Sequence, residues 1–372
     1  MKYYIIAGEA SGDLHGSNLI KALRVSDEDA VVRGFGGDKM ERAGMQLVRH
    51  YREMAFMGFV EVIKNLPAIW HLFRYCKKDI IDFKPDVLIL IDYPGFNLRI
   101  AKWAKEQGIK VVYYIVPQVW AWHQSRVHDL HRYTDKLLVI LPFEKEFFAR
   151  FGYQAIFTGH PLVDAIEDFR HHSDEFPRPE KPVLALLPGS RRQEVENMLP
   201  VFLEAASAFN YEIYIACAPS LDLSVYQNII AECNPSCEAH LFTDSTYSIL
   251  SIASLALVSS GTATLETALF GVPQVVCYKG NGISFAIARR LVKLKYISLV
   301  NLICDQPVVK ELIQHDMTVQ NISDEIRSIQ NKDTEFFKQH YEQLRKLTGG
   351  TGASMRAAYE ITSLLREGET DK

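Results

Sequence analysis

Short apolar runs alternate with longer amphipathic stretches along almost the whole chain, the pattern of parallel strands joined by crossover helices. In the first half the runs fall at residues 3–7, 31–35, 87–91, 111–116 and 137–140, with a short one near 155–158. Their near-continuous hydrophobicity suits strands covered on both faces. Between residues 167 and 182 the composition turns to His, Asp, Glu, Arg and three prolines, which predicts a linker. A second series follows at 183–187, 212–217, 255–258 and 274–277, and from about residue 307 onward the chain reads as helical and polar. The stretch between Asp244 and Glu266 carries no charge, yet its serines and threonines suit a helix, a buried strand and a loop, not a membrane span. The predicted fold class is therefore α/β: two Rossmann-like doubly wound domains, residues 1–168 and 169–349, with a cleft at the carboxyl ends of their strands.

Composition narrows the function classes. Of the 372 residues 48% are hydrophobic and 23% charged, as in a globular protein. A net charge of -4 argues against bulk nucleic-acid binding, which needs a basic excess to displace counterions. Six cysteines are too few for a disulfide scaffold in a chain this long. Cys233 and Cys237 have no second ligand pair, so buried free thiols in a reducing compartment are expected instead of a metal site. Residues 1–7 run straight into the first strand without the zones of a signal peptide.

Polar motifs stand at the strand ends, where open α/β sheets bind ligands. Gly8-Glu9-Ala10-Ser11-Gly12-Asp13 follows the first strand and precedes a helix expected near Leu14; it suits either a ligand loop or a turn capped by Ser11 or Asp13. Gly34-Phe35-Gly36-Gly37 begins like a dinucleotide fingerprint, but Lys39 replaces the last glycine, and a tight turn is the better reading. Asp27-Glu28-Asp29 precedes the second strand, on the wrong edge for a metal-binding D-x-D, and reads as an acidic turn. Asp92 ends an apolar strand just before Tyr93-Pro94-Gly95, and suits either a general base reaching an acceptor proton or an acid capping the next helix. Trp120 and Trp122, beside His123, suit sugar stacking, an acyl groove or domain packing equally.

In the second half, Gly189, Ser190 and Arg191 lie between a strand and a helix, where guanidinium and helix end can hold phosphate. Gly261, Thr262, Ala263 and Thr264 form a second small-residue loop at a helix start; Glu266, one turn in, can accept from ribose hydroxyls. A third feature faces lipid or core. Phe56, Phe59, Val60, Ile63, Leu66, Trp70 and Phe73 recur at helical spacing among Lys64, Arg74, Lys77 and Lys78, and residues 283–295 repeat this basic amphipathic pattern.

Taken in order, the motifs at 8–13, Ile91-Asp92, 118–122, Leu141-Pro142-Phe143-Glu144, Thr158-Gly159-His160-Pro161, 187–191 and 261–266, with Asn301, make the chain resemble the lipid-A-disaccharide synthase family from near residue 3 to about 314. Val300-Asn301-Leu302 and Asp305-Gln306-Pro307 depart from the family pattern. The resemblance implies a GT-B glycosyltransferase, with a terminal helix at about 350–366 packing back on the first domain. It implies transfer of 2,3-diacylglucosamine from its UDP donor to the 6-hydroxyl of 2,3-diacylglucosamine 1-phosphate, yielding the β-1,6 disaccharide 1-phosphate and UDP. It also implies a homodimer with exchanged C-terminal domains, in the cytoplasm and peripheral to the inner membrane of a Gram-negative bacterium.

The expected roles follow residue by residue. Asp92 is the base. Glu9, Ser11 and Asp13 face the acceptor. Arg191 and the loops at Gly189-Ser190 and 261–264 hold UDP, Glu266 takes the ribose, and Asn301 orients diphosphate or sugar. Trp120 and Trp122 contact substrate. No metal or cofactor is expected, because arginine and helix ends supply the positive charge. An epimerase or soluble glycosyltransferase of similar architecture is the alternative. An esterase acting through Ser11 is disfavoured, since that serine stands fourth in its motif, not third as in a nucleophile elbow.

Overall fold

A computed structural model describes residues 1–54, 66–121, 124–172, 176–235, 237–280, 295–332 and 334–370. The chain divides into two compact units, Met1–Ala165 with Thr348–Lys372, and Ile166–Leu347. Each is built around one parallel sheet.

In the first unit the strands are β1 (Lys2–Ala7), β2 (Val31–Gly36), β3 (Gln46–His50), β4 (Val87–Ile91), β5 (Lys110–Tyr114), β6 (Lys136–Val139) and β7 (Ile156–Phe157), in the order β3-β2-β1-β4-β5-β6-β7. The order reverses between β1 and β4, where Ala7 pairs with Ile91. Residues 8 and 92 therefore leave the sheet side by side at a topological switch point, where the connecting helices diverge and open a crevice. Every residue of β4 is fully buried. Each such Val, Leu or Ile contributes roughly 1.5–3 kcal/mol relative to exposure.

The second unit repeats the plan with β8 (Val183–Leu187), β9 (Glu212–Cys217), β10 (Ala239–Thr243), β11 (Ala253–Ser259), β12 (Gln274–Tyr278) and β13 (Lys310–Ile313), ordered β10-β9-β8-β11-β12-β13. Its reversal lies between β8 and β11, where Leu187 pairs with Val258. The loops starting at Pro188 and Ser260 thus emerge together.

The last helix, Ala353–Thr370, belongs to the first unit and buries Ala357, Ala358, Ile361 and Leu365 among Leu19, Ile20 and Leu23. Its amino end is held by Asp164, whose carboxylate accepts from the N–H groups of Gly352 at 2.6 Å and Ser354 at 2.8 Å. That carboxylate is a stabilising charge at the positive end of the helix.

Three expectations change. The linker predicted from residue 167 begins as helix: Pro161–His172 is continuous, and the division between units falls inside it. Its polar composition is that of a mostly exposed helix end. Strands β3, β10 and β13 have no counterpart in the apolar runs; all three are sheet edges, with Gln46, Arg49, His240, Lys310 and Glu311 breaking the hydrophobicity. Edge strands tolerate such residues because one side meets solvent. Of the six free cysteines, Cys76, Cys217 and Cys277 are buried, whereas Cys233 is exposed. Among the described residues no helix is long and apolar enough to cross a membrane.

Candidate active site

At the first switch point Asp92 and Tyr93 both take left-handed backbone, with φ of 44° and 48°. Neither is glycine, and each such residue costs about 1–2 kcal/mol. The strain is clamped from several sides. The Asp92 carbonyl accepts from Asn97 Nδ2 at 2.8 Å and the Tyr113 hydroxyl at 2.6 Å, and its N–H donates to Ile115 at 3.2 Å. Ile115 is itself left-handed at φ 60°, an uncommon state for a β-branched residue. The Tyr93 ring lies so close to Gly8 that a Cβ there would meet it at 2.3 Å. Gly8 is thus needed for that approach.

These restraints hold the Asp92 side chain half-buried at the mouth of a pocket of about 200 Å³, lined also by Pro94, Pro117, Gln118, Val119 and Arg126. Burial first, then the negative charge of Glu9, pushes the Asp92 carboxyl up to about 6. A carboxylate tuned this way is a better proton acceptor near neutral pH than an exposed one. A second carboxyl, Glu144, is fully buried close by and is raised to about 7, chiefly by burial, with the Asp92 charge contributing.

At the second switch point a pocket of about 400 Å³ brings together Gly189, Ser190, Arg191, Gly261, Thr262, Ala263 and Glu266, loops some seventy positions apart in the sequence. Gly261 precedes the helix Thr262–Leu269 without any side-chain cap, so that helix presents its first N–H groups to the pocket. The Thr264 N–H and hydroxyl both turn inward onto the Gly261 carbonyl, at 3.2 and 2.8 Å, which leaves Thr264 a part of the turn and not an anion donor. The Arg191 side chain is 72% exposed, reaching Glu194 only at 3.8 Å. Glu266 accepts from the Tyr247 hydroxyl at 3.1 Å, and Tyr247 is held edge-on by Phe169 at 5.6 Å.

Several expected site residues turn out to hold the fold. Helix Ala10–Ser26 begins four residues earlier than Leu14, placing exposed Ser11 in its first turn. Asp13 is buried; its carboxylate accepts from the N–H groups of Gly37 and Met40 at 2.9 Å and of Lys39 at 3.1 Å, capping the helix Asp38–Arg42. Three of its roughly four lone-pair positions are thus committed to the fold. The N–H groups of Ser190 and Arg191 donate to Glu194 at 3.1 and 3.3 Å, so Arg191 can act only through its guanidinium. Asn301 lies outside the 400 Å³ pocket: its Nδ2 donates to the Val309 carbonyl and to Glu311, both at 2.9 Å, and its Oδ1 accepts from the Val309 N–H at 3.0 Å. It ties two segments together and has no atom left to orient a diphosphate. Trp120 is buried and donates its indole N–H to Glu144 at 3.1 Å, which removes it from sugar stacking.

Trp122, Phe56, Phe59, Val60 and Ile63 lie outside the described residues, as does the side chain of Leu66 and the run 283–294. Of the remaining apolar stripe, Phe73 stacks on Phe96 at 4.3 Å and turns into the fold, whereas Trp70 is 63% exposed with Arg74 against its ring at 4.8 Å. Reading the sequence missed Asn97, Tyr113, Glu144, Glu194 and Tyr247. Glu144 and Glu194 carried a signal, each as the acid at the third position of a helix start.

Two parallel sheets, each carrying a polar pocket at its switch point, define a two-domain Rossmann-like protein of the GT-B type. Solved structures agree on this fold: a UDP-GlcNAc 2-epimerase from Neisseria meningitidis (TM-score 0.67, 15% identity, covering 98% of this chain and 100% of that one), and the glycotransferase of kitacinnamycin (TM-score 0.67, 16% identity, 97% and 98%). Residues 3–362 match the family described as lipid-A-disaccharide synthetase. Relatives named lipid-A-disaccharide synthase include those of Trichlorobacter lovleyi, 36% identical with 98% of this chain and 97% of the relative covered, and Syntrophus aciditrophicus, 38% identical with 98% of each covered. The chain belongs to the lipid-A-disaccharide synthase family, glycosyltransferases of lipid A biosynthesis.

Proposed function

We propose that the chain transfers 2,3-diacylglucosamine from UDP to the 6-hydroxyl of 2,3-diacylglucosamine 1-phosphate, with inversion, giving the β-1,6-linked disaccharide 1-phosphate and UDP. Asp92 takes the proton of the acceptor hydroxyl as its oxygen attacks C1 of the donor. The bond from C1 to the diphosphate oxygen breaks, and UDP leaves with the electron pair. The Arg191 guanidinium and the first N–H groups of helix Thr262–Leu269 stabilise the diphosphate as its charge grows. Glu266, oriented by Tyr247, accepts from the ribose hydroxyls. Glu9 keeps Asp92 basic by its charge, and Ser11, exposed in the first turn of the helix that follows Glu9, faces the acceptor.

The observation that carries this reading is the 400 Å³ pocket, which unites an exposed arginine, an uncapped helix end and an acid in a chain of this family. The test is incubation of purified protein with both diacylated substrates, with and without chelator, detecting UDP and disaccharide together. Absence of product without chelator refutes the assignment, and loss only with chelator refutes a metal-free reaction. Exposed Trp70 beside Arg74 also favours contact with an anionic lipid surface, which reduced vesicle partitioning of Trp70→Ser would support.

A further inference from the structure

The loop at residues 117–121, which follows β5, supplies Pro117, Gln118 and Val119 to the wall of the Asp92 pocket. It is neither helix nor strand, and its internal bonds are the short turns from Val119 to Pro117 and from Ala121 to Gln118. Its anchor is Trp120, whose ring meets Phe143 edge-on at 4.9 Å and whose indole N–H reaches Glu144 Oε1. The other oxygen, Oε2, accepts from the N–H groups of Leu141 at 2.9 Å and Ile140 at 3.2 Å. One buried carboxyl thus joins the segment after β5 to the segment after β6. Among the described residues its hydrogen-bond partners are three N–H donors, which make a site for a carboxylate and a poor one for an amide.

We propose that Glu144 is a positioning residue of the acceptor half-site: through Trp120 it holds the 117–121 loop in place as the wall against which the acceptor is presented to Asp92. This rests on the reading that the Asp92 pocket receives the acceptor. The groups facing Glu144 are the Trp120 indole, the backbone at 140–141 and the charge of Asp92. Those facing Asp92 are Glu9, Tyr93, the Tyr113 hydroxyl at its carbonyl and Arg126 in the pocket wall.

Protonating Glu144 places an O–H among N–H donors, and one of those donors then loses its acceptor. With Glu144 raised to about 7 and Asp92 to about 6, acid releases first the wall and then the base. Protonation of Glu144 should therefore lower kcat/KM for the acceptor by a step of about tenfold, on top of the unit slope that loss of the Asp92 base imposes below pH 6.

The experiment varies acceptor and donor separately for the full-length wild type, Glu144→Gln and Trp120→Phe across the pH range. Both variants are expected to raise the acceptor KM about tenfold or more, the loss of one charge-assisted hydrogen bond, with the donor KM unchanged. In both variants the step near pH 7 should disappear and the unit slope from Asp92 should remain, because either change cuts the link from carboxyl to wall. Acceptor and donor KM rising together, activity falling only with the folded fraction seen by circular dichroism, or a wild-type acceptor KM in Trp120→Phe would each overturn the proposal. Should Glu144→Gln fold poorly, Trp120→Phe decides alone. Full turnover by Asp92→Asn would refute the base assignment itself, whereas an inactive Asp92→Asn beside unaltered Glu144 and Trp120 variants would refute this inference only.

Discussion

At the β1/β4 switch the chain sets carboxyls on a strained, half-buried loop; at the β8/β11 switch it sets glycines, an uncapped helix and an exposed arginine. The two sheets reverse in the same way, so topology alone does not separate their roles. Solvation does. Proton transfer near neutral pH profits from a carboxyl that water does not stabilise, which requires burial and neighbouring negative charge. Diphosphate binding profits from donors that are not yet satisfied, which requires small side chains and open backbone. The contrast even extends to errors in reading the motifs. Asp13 and the N–H groups at 190–191 have the right chemistry for a site, but each is already paired within the fold.

The largest expected effect tests the first half of that contrast. Asp92→Asn should lower kcat by about 10²–10⁴-fold, while calorimetry shows UDP binding as in the wild type. Substantial residual turnover would dissolve the division of labour. Next, Arg191→Ala should weaken UDP binding about 10- to 100-fold, as expected for charge-assisted contacts to phosphate. An unaltered Kd would move the diphosphate elsewhere.

The pH dependence sharpens the comparison further. UDP affinity should stay flat between pH 5 and 7 while kcat/KM falls, because Asp92 and Glu144, both raised into that window, belong to the first half-site. The same shift has a stability consequence of definite sign. A carboxyl raised from 3.8 to about 6 contributes stability that is full below 3.8 and lost as pH rises through 6. Asp92→Asn should therefore melt above the wild type at pH 8, with the gain shrinking toward pH 4; a lower Tm at pH 8 would contradict it. The smallest effect is Tyr247→Phe, which removes one hydroxyl from Glu266 and should cost about fivefold in UDP affinity with no change in the acid limb.

Central strands were legible because burial on both faces demands a continuous apolar run, and β1, β4, β8 and β12 show one. Edge strands β3, β10 and β13 were not, since half their environment is water and charged residues cost them little. Asp92, Arg191 and Glu266 were legible by their place at strand or helix ends, which a linear pattern reveals. The partners Tyr113, Glu144 and Tyr247 were not, because each acts across a gap in sequence that only the fold closes, and Asn97, five residues from Asp92, shows its role only once the turn points its amide back at the Asp92 carbonyl.

The amino-acid order alone determined the α/β alternation, the family motifs and the kind of chemistry waiting at each strand end, all of which are local properties of spacing and polarity. Tertiary structure decided which of those groups remain available. A carboxylate or an N–H has few hydrogen-bonding positions, and whether a ligand or the fold occupies them depends on neighbours brought close only by the sheet.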